Sequence, residues 1–339
     1  MLRFLVRRLV LSTFALLGVL VVMFLIMHVA PVDPARQYAG MRATDQQLAQ
    51  VRAKLGLDRS VPVQIVTYIK NFFTGNWGNS LLTKRPVIDD IGKTLPYTLE
   101  LIILAMILTL LIGVPLGVLS AQKKDHLADH GSRILAVGLI SIPTFWLALA
   151  LQYIFSGKLG ILPLSGPGSI AVTLADPIKA VTGFPLLDAL VTGNFHAFWD
   201  HLYYLVLPVI ALTGMSLGGL QRITRASMVE TLTEEYIVAK RSYGLPERTV
   251  LYRHGLKNSM GPIITTTAVY IAALLVSTFL IEEIFSWPGM GAYIASGVTG
   301  LDYPVIMAVT LISAVAFLIM NTLADILLAA NDPRVRLQG

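Results

Sequence analysis

The sequence contains no cysteine. That excludes disulfides, thiolate-bound metal and a cysteine nucleophile. Charge is scarce too: 14% of the 339 residues are charged, against about 25% in an average soluble domain. Disordered chains lean the opposite way, so disorder is excluded. There is no G-x-x-x-x-G-K-[ST] phosphate loop, so ATP is not held by that device. An H-E-x-x-H pair and a G-x-S-x-G elbow are also missing. Acidic residues avoid the middle of every long apolar run: Glu100, Glu282, Glu283 and Asp325 lie near run ends. A proton- or sodium-coupled carrier usually keeps an ionisable group or broken helix near the bilayer midplane. The distribution counts against such a carrier, and against an intramembrane aspartyl or zinc protease.

What is abundant is apolar. Hydrophobic residues make up 55% of the chain, and mean hydropathy is +0.70. These values point to an all-α, multi-pass membrane protein, because barrels show weak alternation instead of long apolar runs. Crossing about 30 Å of hydrocarbon takes about 20 helical residues. Six windows qualify: Leu9–Ala30, Leu99–Ser120, Ile134–Phe155, Leu202–Leu220, Pro262–Ile281 and Val305–Ala329. The first follows Arg3, Arg7 and Arg8 like a signal peptide. It is too long for one and lacks a cleavage site after Met27, so it reads as a retained span.

Basic residues orient the spans. Segment 1–8 carries three, loop 121–133 carries Lys123, Lys124 and Arg133, and the tail carries Arg334 and Arg336. Loop 221–261 carries Arg222, Arg225, Lys240, Arg241, Arg248, Arg253 and Lys257. With six spans these fall on one side, which puts both termini in the cytoplasm. The net charge of +6 is then a topology signal, and no nucleic-acid partner is expected. The stretch 170–193 would bury Asp176, Pro177, Lys179, Pro185 and Asp188 as a seventh span, so it reads as an external loop.

Within 31–98, Thr44 and Gln47 have capping-box spacing before Leu48, Val51 and Leu55, and Gly56 ends that helix. A second amphipathic stretch starts at Pro62, with Val66, Ile69 and Phe73 on one face. These helices cover span ends or form a docking surface. Pro115, Pro143 and Pro208 mark places where the bundle bends or hydrates. The pairs Gly113/Gly117 and Gly214/Gly218 suit close helix packing. Gln152 and Asn321 suit either a pathway lining or a single interhelical hydrogen bond.

The most informative segment is 221–261. Glu234 and Glu235 start a short helix, where acids suit the dipole. Ile237, Lys240 and Arg241 follow, and Gly244 permits a left-handed turn. Pro246 forbids simple continuation, so a helix–turn–helix lies across the membrane face. Either it sets topology alone or it receives a partner.

These residues resemble a family. Glu235 to Gly244, with Ala239 between, is similar to the EAA loop of ATP-binding-cassette importer permeases. Tyr236 and Ile237 stand where that pattern has two alanines, and Gly261-Pro262 stands for its closing Leu-Pro. His28-Val-Ala-Pro31-Val-Asp33-Pro34 resembles an element of dipeptide and oligopeptide permeases, with Val32 in place of Gly. Leu55-Gly56-Leu57-Asp58 and Thr98-Leu99-Glu100-Leu101 match as well. So do Glu283 to Gly291, Asp302-Tyr303-Pro304-Val305 and Asn331-Asp332-Pro333-Arg334. The ordered set covers essentially the whole chain and resembles the B-type permease of the dipeptide/oligopeptide/nickel importer class.

The resemblance implies a permease subunit with no catalysis, cofactor or metal of its own. ATP and magnesium would sit on two cytoplasmic ATPase partners. A second homologous permease, an extracytoplasmic substrate-binding protein and membrane lipid would complete the surroundings. The expected plan is 1–30 as cytoplasmic segment and first span, 31–98 as an extracytoplasmic helical subdomain, 99–330 as permease core with coupling loop 221–261, and 331–339 as cytoplasmic tail. Glu235, Tyr236, Ala239, Lys240, Arg241, Gly244 and Leu245 would contact an ATPase. Trp287, Pro288, Gly289 and Gly291 would touch the binding protein or form a rigid cap. Di- or oligopeptides are the implied substrates, with oligosaccharides, nickel and glutathione as alternatives. An ion-coupled carrier and a pathway-free structural subunit remain as other classes.

Overall fold

A backbone taken out of water must satisfy its own N–H and C=O groups, and a helix does this locally. The computed structural model, which describes residues 2–29, 34–40 and 42–331, is accordingly helical. The helices are α1 (Leu2–Val29), α2 (Pro34–Ala39), α3 (Asp45–Leu55), α4 (Val61–Phe73), α5 (Val87–Gln122), α6 (Leu127–Ser141), α7 (Thr144–Leu151), α8 (Ile170–Ala175), α9 (Pro185–Val191), α10 (Phe195–Leu232), α11 (Glu235–Ser242), α12 (Glu247–Thr249), α13 (Met260–Ile284), α14 (Met290–Thr299) and α15 (Tyr303–Asn331). Two π-helical turns, Gln152–Lys158 and Val250–Leu256, extend α7 and α12. The element at 28–34 lies largely outside the described residues, and the terminal Asp332-Pro333-Arg334 lies wholly outside them.

Among the described residues, α5, α10 and α15 are long and apolar enough to cross a membrane. Two bent helix pairs raise the number to five if each counts as one span. In α1 the apolar stretch Val10–Ile26 is shorter. The expected third span differs most from its sequence reading, because α6 and α7 meet at 101° instead of running straight. Proline is the cause. It disfavours helical geometry in the residue before it, and Ile142 is extended at φ −87°, ψ 123° ahead of Pro143. Pro115 and Pro208, by contrast, sit inside unbroken helices. The 170–193 stretch contains only the short α8 and α9, as expected of a loop.

The chain forms two compact units. One comprises residues up to Leu95 together with Ala292–Leu318. Here Thr44 and Gln47 form the anticipated capping box, and Gly56 closes α3 at φ 68°. Asp302 is fully buried and accepts from Ser80 Oγ (2.6 Å) and Leu81 N (2.7 Å), fixing the turn before α5. Asp90 accepts from Thr83 Oγ1 and pairs with Arg85 at 2.9 Å. In α4 the face carrying Val63, Val66 and Phe73 is exposed.

The other unit comprises Pro96–Gly291 and the chain from Ile319 onward. Its core joins Leu101, Leu205, Leu212, Leu274, Phe285 and Trp287. Small residues let the helices approach. A Cβ on Gly117 would lie 2.5 Å from Thr224 Cβ, and one on Gly218 would lie 2.3 Å from the Ala136 carbonyl oxygen. Both glycine pairs are therefore packing surfaces. Gln152 proves structural, since its amide donates to the carbonyls of Leu164 (2.8 Å) and Ile284 (3.3 Å).

Candidate functional site

The site is the segment between α10 and α13. Nothing in Gln221–Leu232 breaks a helix, so α10 continues to Leu232 before the chain turns. Glu234 opens α11 in extended geometry, with Glu235 in its first turn and Lys240 and Arg241 in its last, as the helix dipole favours. Gly244 ends it at φ 74°. Its N–H donates to the Arg241 carbonyl (2.9 Å), and the Leu245 N–H donates to the Lys240 carbonyl (3.4 Å). That pair of bonds is a Schellman cap, which needs a left-handed residue at Gly244. Pro246 then redirects the chain into α12 and the π-turn.

Apolar anchors fasten this segment. Ile237 and Val250 are fully buried. Leu251 packs in a cluster with Met228 of α10 and with Val118 and Ala121 of α5. Ser259 Oγ lies 2.8 Å from Thr231 Oγ1, and Asn258 Nδ2 donates to the Tyr236 hydroxyl at 2.5 Å. Arg241 grips Glu247 through Nη2 at 2.8 Å and Nε at 3.2 Å across the turn. The helix is thus held on one side and open on the other.

About two helix turns before the end of α10 lies an ion pair. Arg225 donates from Nε (2.6 Å) and Nη2 (2.7 Å) to the two oxygens of Asp129 at the start of α6. Asp129 is 0% exposed and Arg225 is 19% exposed. Ser120 Oγ and the Asp125 N–H also donate to Asp129. The Arg225 hydrogen bonds dominate and, despite burial, hold this carboxyl well below the usual carboxylate range. The clamp joins the end of α5, the start of α6 and the lower part of α10.

The sequence-derived residues divide by exposure. Glu235, Tyr236, Ala239, Arg241 and Gly244 are exposed, while Lys240 and Leu245 are half-buried. Two exposed apolar side chains of α11 and its C-cap had no role in the sequence reading: Val238, and Tyr243 at 81%. Tyr243 follows directly on Ser242 at the C-cap, where an aromatic has no helical partner to cover it. The Asp129–Arg225 clamp also escaped, because its partners lie far apart in the chain.

At the other end of this unit lies the 287–291 stretch, for which the sequence left a binding-protein contact and a packed cap both open. Trp287, Gly289 and Gly291 are buried, and Pro288 alone of the four is exposed. The Trp287 ring packs against Tyr97 and His201, which also touch each other. Glu282 accepts from Thr98 Oγ1 and from the Gly291 N–H, both at 2.6 Å. A Cβ on Gly289 would fall 2.4 Å from the Glu282 carboxyl, so glycine serves packing here. His201 Nε2 lies 2.7 Å from Glu100 Oε2, and the Leu186 N–H donates to Glu100 Oε1. These contacts tie the stretch to α5, α10 and α13.

Comparison with known proteins agrees with this geometry. The family model described as "Binding-protein-dependent transport system inner membrane component" matches residues 113–337. A second, "Binding-prot-dependent transport system membrane comp, N-term", matches residues 1–102. The chain is 41% identical over 318 residues to the probable D,D-dipeptide transport system permease protein DdpB of Escherichia coli, covering 94% of this chain and 93% of that one. It is 38% identical to the dipeptide transport system permease protein DppB of Alkalihalophilus pseudofirmus, over 99% of this chain and 100% of that one. It is 34% identical to the glutathione transport system permease protein GsiC of Salmonella choleraesuis, over 99% of each. Two family models in register with the helical plan, and relatives matched end to end, place this chain among the binding-protein-dependent transport system inner membrane components.

Proposed function

We propose that the chain is the transmembrane permease subunit of an ATP-driven importer of di- or oligopeptides. It forms the pathway with a second, homologous permease. Six spans cross the membrane, α1 being the first and the bent α6–α7 pair the third, with both termini in the cytoplasm. The basic loops support that orientation. An extracytoplasmic binding protein delivers substrate, and two cytoplasmic ATPases carry ATP and magnesium. Hydrolysis takes place on those partners.

The observation that carries this reading is α11: a short helix anchored at Ile237, capped at Gly244 and otherwise open. Glu235, Tyr236, Ala239, Lys240, Arg241, Gly244 and Leu245 are its proposed contact with an ATPase. Val238 and Tyr243 add the apolar patch that such an interface uses at its centre. Movement of α11 passes into α5 and α10 through Leu251 and Met228, and the Asp129–Arg225 clamp makes those helices move with α6.

The peptide substrate follows the two dipeptide permeases to which the chain is similar. Glutathione, itself a small peptide, is a second reading favoured by the third relative. The test is Gly244→Val in the reconstituted complex. A β-branched residue at φ 74° costs about 1–2 kcal/mol and breaks the cap. Peptide uptake and substrate-stimulated ATP hydrolysis should fall to background while membrane insertion is kept. Gly244→Asn, which tolerates the left-handed region, should recover much of both. Full uptake by the valine variant would overturn the assignment.

A further inference from the structure

The first unit contains a cavity of about 350 Å³. Two kinds of element line it. Phe24 of α1 and Met307 and Leu311 of α15 bring apolar surface from helices read as membrane spans. Along α15 the lining extends from Tyr303 to Leu311, eight residues or about 12 Å. Lys54 of α3 and Arg59 of the following connection bring two cations, and no aspartate or glutamate joins them in the wall. Gln64, Thr67, Asn71 and Asn76 add neutral polar groups, so the charged part of the wall is cationic alone. A cavity with apolar depth and such an edge suits an amphiphile with a negative head.

Tyr68 supplies a separate observation. It lines the same cavity, and its ring packs on Phe24 at 6.0 Å. Its hydroxyl is buried yet has no hydrogen-bond partner. Leaving such a group unpaired is costly. Burial pushes its pKa up, so it stays a neutral donor. A hydroxyl in this position asks for an acceptor oxygen from something that enters the cavity. The same helix, α4, exposes Val63, Val66 and Phe73 along its outer face. Helices with such a face lie in the membrane interface, at the depth of lipid headgroups.

We propose that this cavity seats one anionic phospholipid, its phosphate held by Lys54 and Arg59, an ester oxygen accepting from Tyr68, and an acyl chain lying against Phe24, Met307 and Leu311. The site is distinct from α11 and from the 287–291 cap. It would tie the external helices to the bilayer by a lipid and not by protein contacts alone.

The test uses the full chain in nanodiscs of equal phosphatidylglycerol and phosphatidylcholine. Benzoylphenylalanine in place of Tyr303 reports on the cavity, and the same probe in place of Leu111, an exposed residue of α5, reports on bulk lipid. Mass spectrometry counts lipid adducts after illumination. The phosphatidylglycerol-to-phosphatidylcholine ratio should be about fivefold higher at the cavity position, corresponding to about 1 kcal/mol. The double variant Lys54→Glu, Arg59→Glu should bring it down to the bulk value. Tyr68→Phe should lower the adduct yield without changing the yield at position 111. Absence of lipid adducts at position 303, a ratio equal to bulk in the unaltered protein, or a ratio that survives the double variant would each overturn the proposal. Because the readout is lipid composition, a failure here leaves the importer reading untouched.

Discussion

Replacing Asp129 with alanine probes the clamp most directly. The carboxylate is fully buried and accepts four hydrogen bonds: two from Arg225, one from Ser120 and one from the Asp125 backbone. Removing one member of a buried pair leaves the other charged and uncompensated, at a cost of about 3–5 kcal/mol. Arg225 keeps some access to water, with 19% of its side chain exposed, which sets the expected loss near the lower end, about 3 kcal/mol. Equilibrium unfolding in mixed micelles measures it. Arg225→Met on top of Asp129→Ala removes the stranded charge, so the double variant should be more stable than the sum of the single losses by at least about 1.5 kcal/mol. The pH dependence has a definite sign. The folded-state pKa lies below the ordinary value of about 3.9, so the contribution is complete above that value and fades only as pH falls toward the depressed one. The stability gap between the native chain and Asp129→Ala should therefore stay constant from about pH 8 to about pH 5. A loss below about 1 kcal/mol, strict additivity, or a gap that closes in that range would refute the reasoning.

Further outcomes follow from the same contacts. Gly218→Ala drives a methyl group against the Ala136 carbonyl oxygen and should lower stability by about 1–3 kcal/mol. Gly138→Ala, with open space around it, should raise stability by about 0.5–1 kcal/mol in the same unfolding assay. Thr98→Val removes the hydroxyl that donates to Glu282 and accepts from the Met290 N–H. It should cost about 1–3 kcal/mol. On the exposed side of α11, Tyr243→Ala with Val238→Ser should leave unfolding unchanged within about 0.5 kcal/mol yet weaken co-purification of the ATPases at least severalfold. Undiminished capture would remove these two side chains from the interface.

Local chemistry was legible in the sequence because it depends on near neighbours. The Thr44/Gln47 capping box, the stop at Gly56, the left-handed Gly244 and the turn at Pro246 all involve bonds within a few residues. Apolar run length fixed where membrane-crossing helices lie, since a backbone in hydrocarbon has few ways to satisfy itself. It did not fix whether a run stays straight: Pro115 and Pro208 continue in helices and Pro143 breaks one.

Tertiary structure alone decided which polar residues meet. Asp129 and Arg225 are separated by 96 residues, Glu100 and His201 by 101, and Ser80 and Asp302 by 222. No pattern in a single sequence joins positions so far apart, because the helices between them set the distance. It also put Trp287 in the core, where the sequence had left an external contact and a packed cap both open. An aromatic among glycines and proline fits either, and only the packing of Tyr97 and His201 against the ring shows that it faces inward. The sequence by itself determined a helical membrane chain with a basic, capped segment between two of its long apolar runs. The fold determined which side of that segment is anchored, which is open, and what clamps the helices above it.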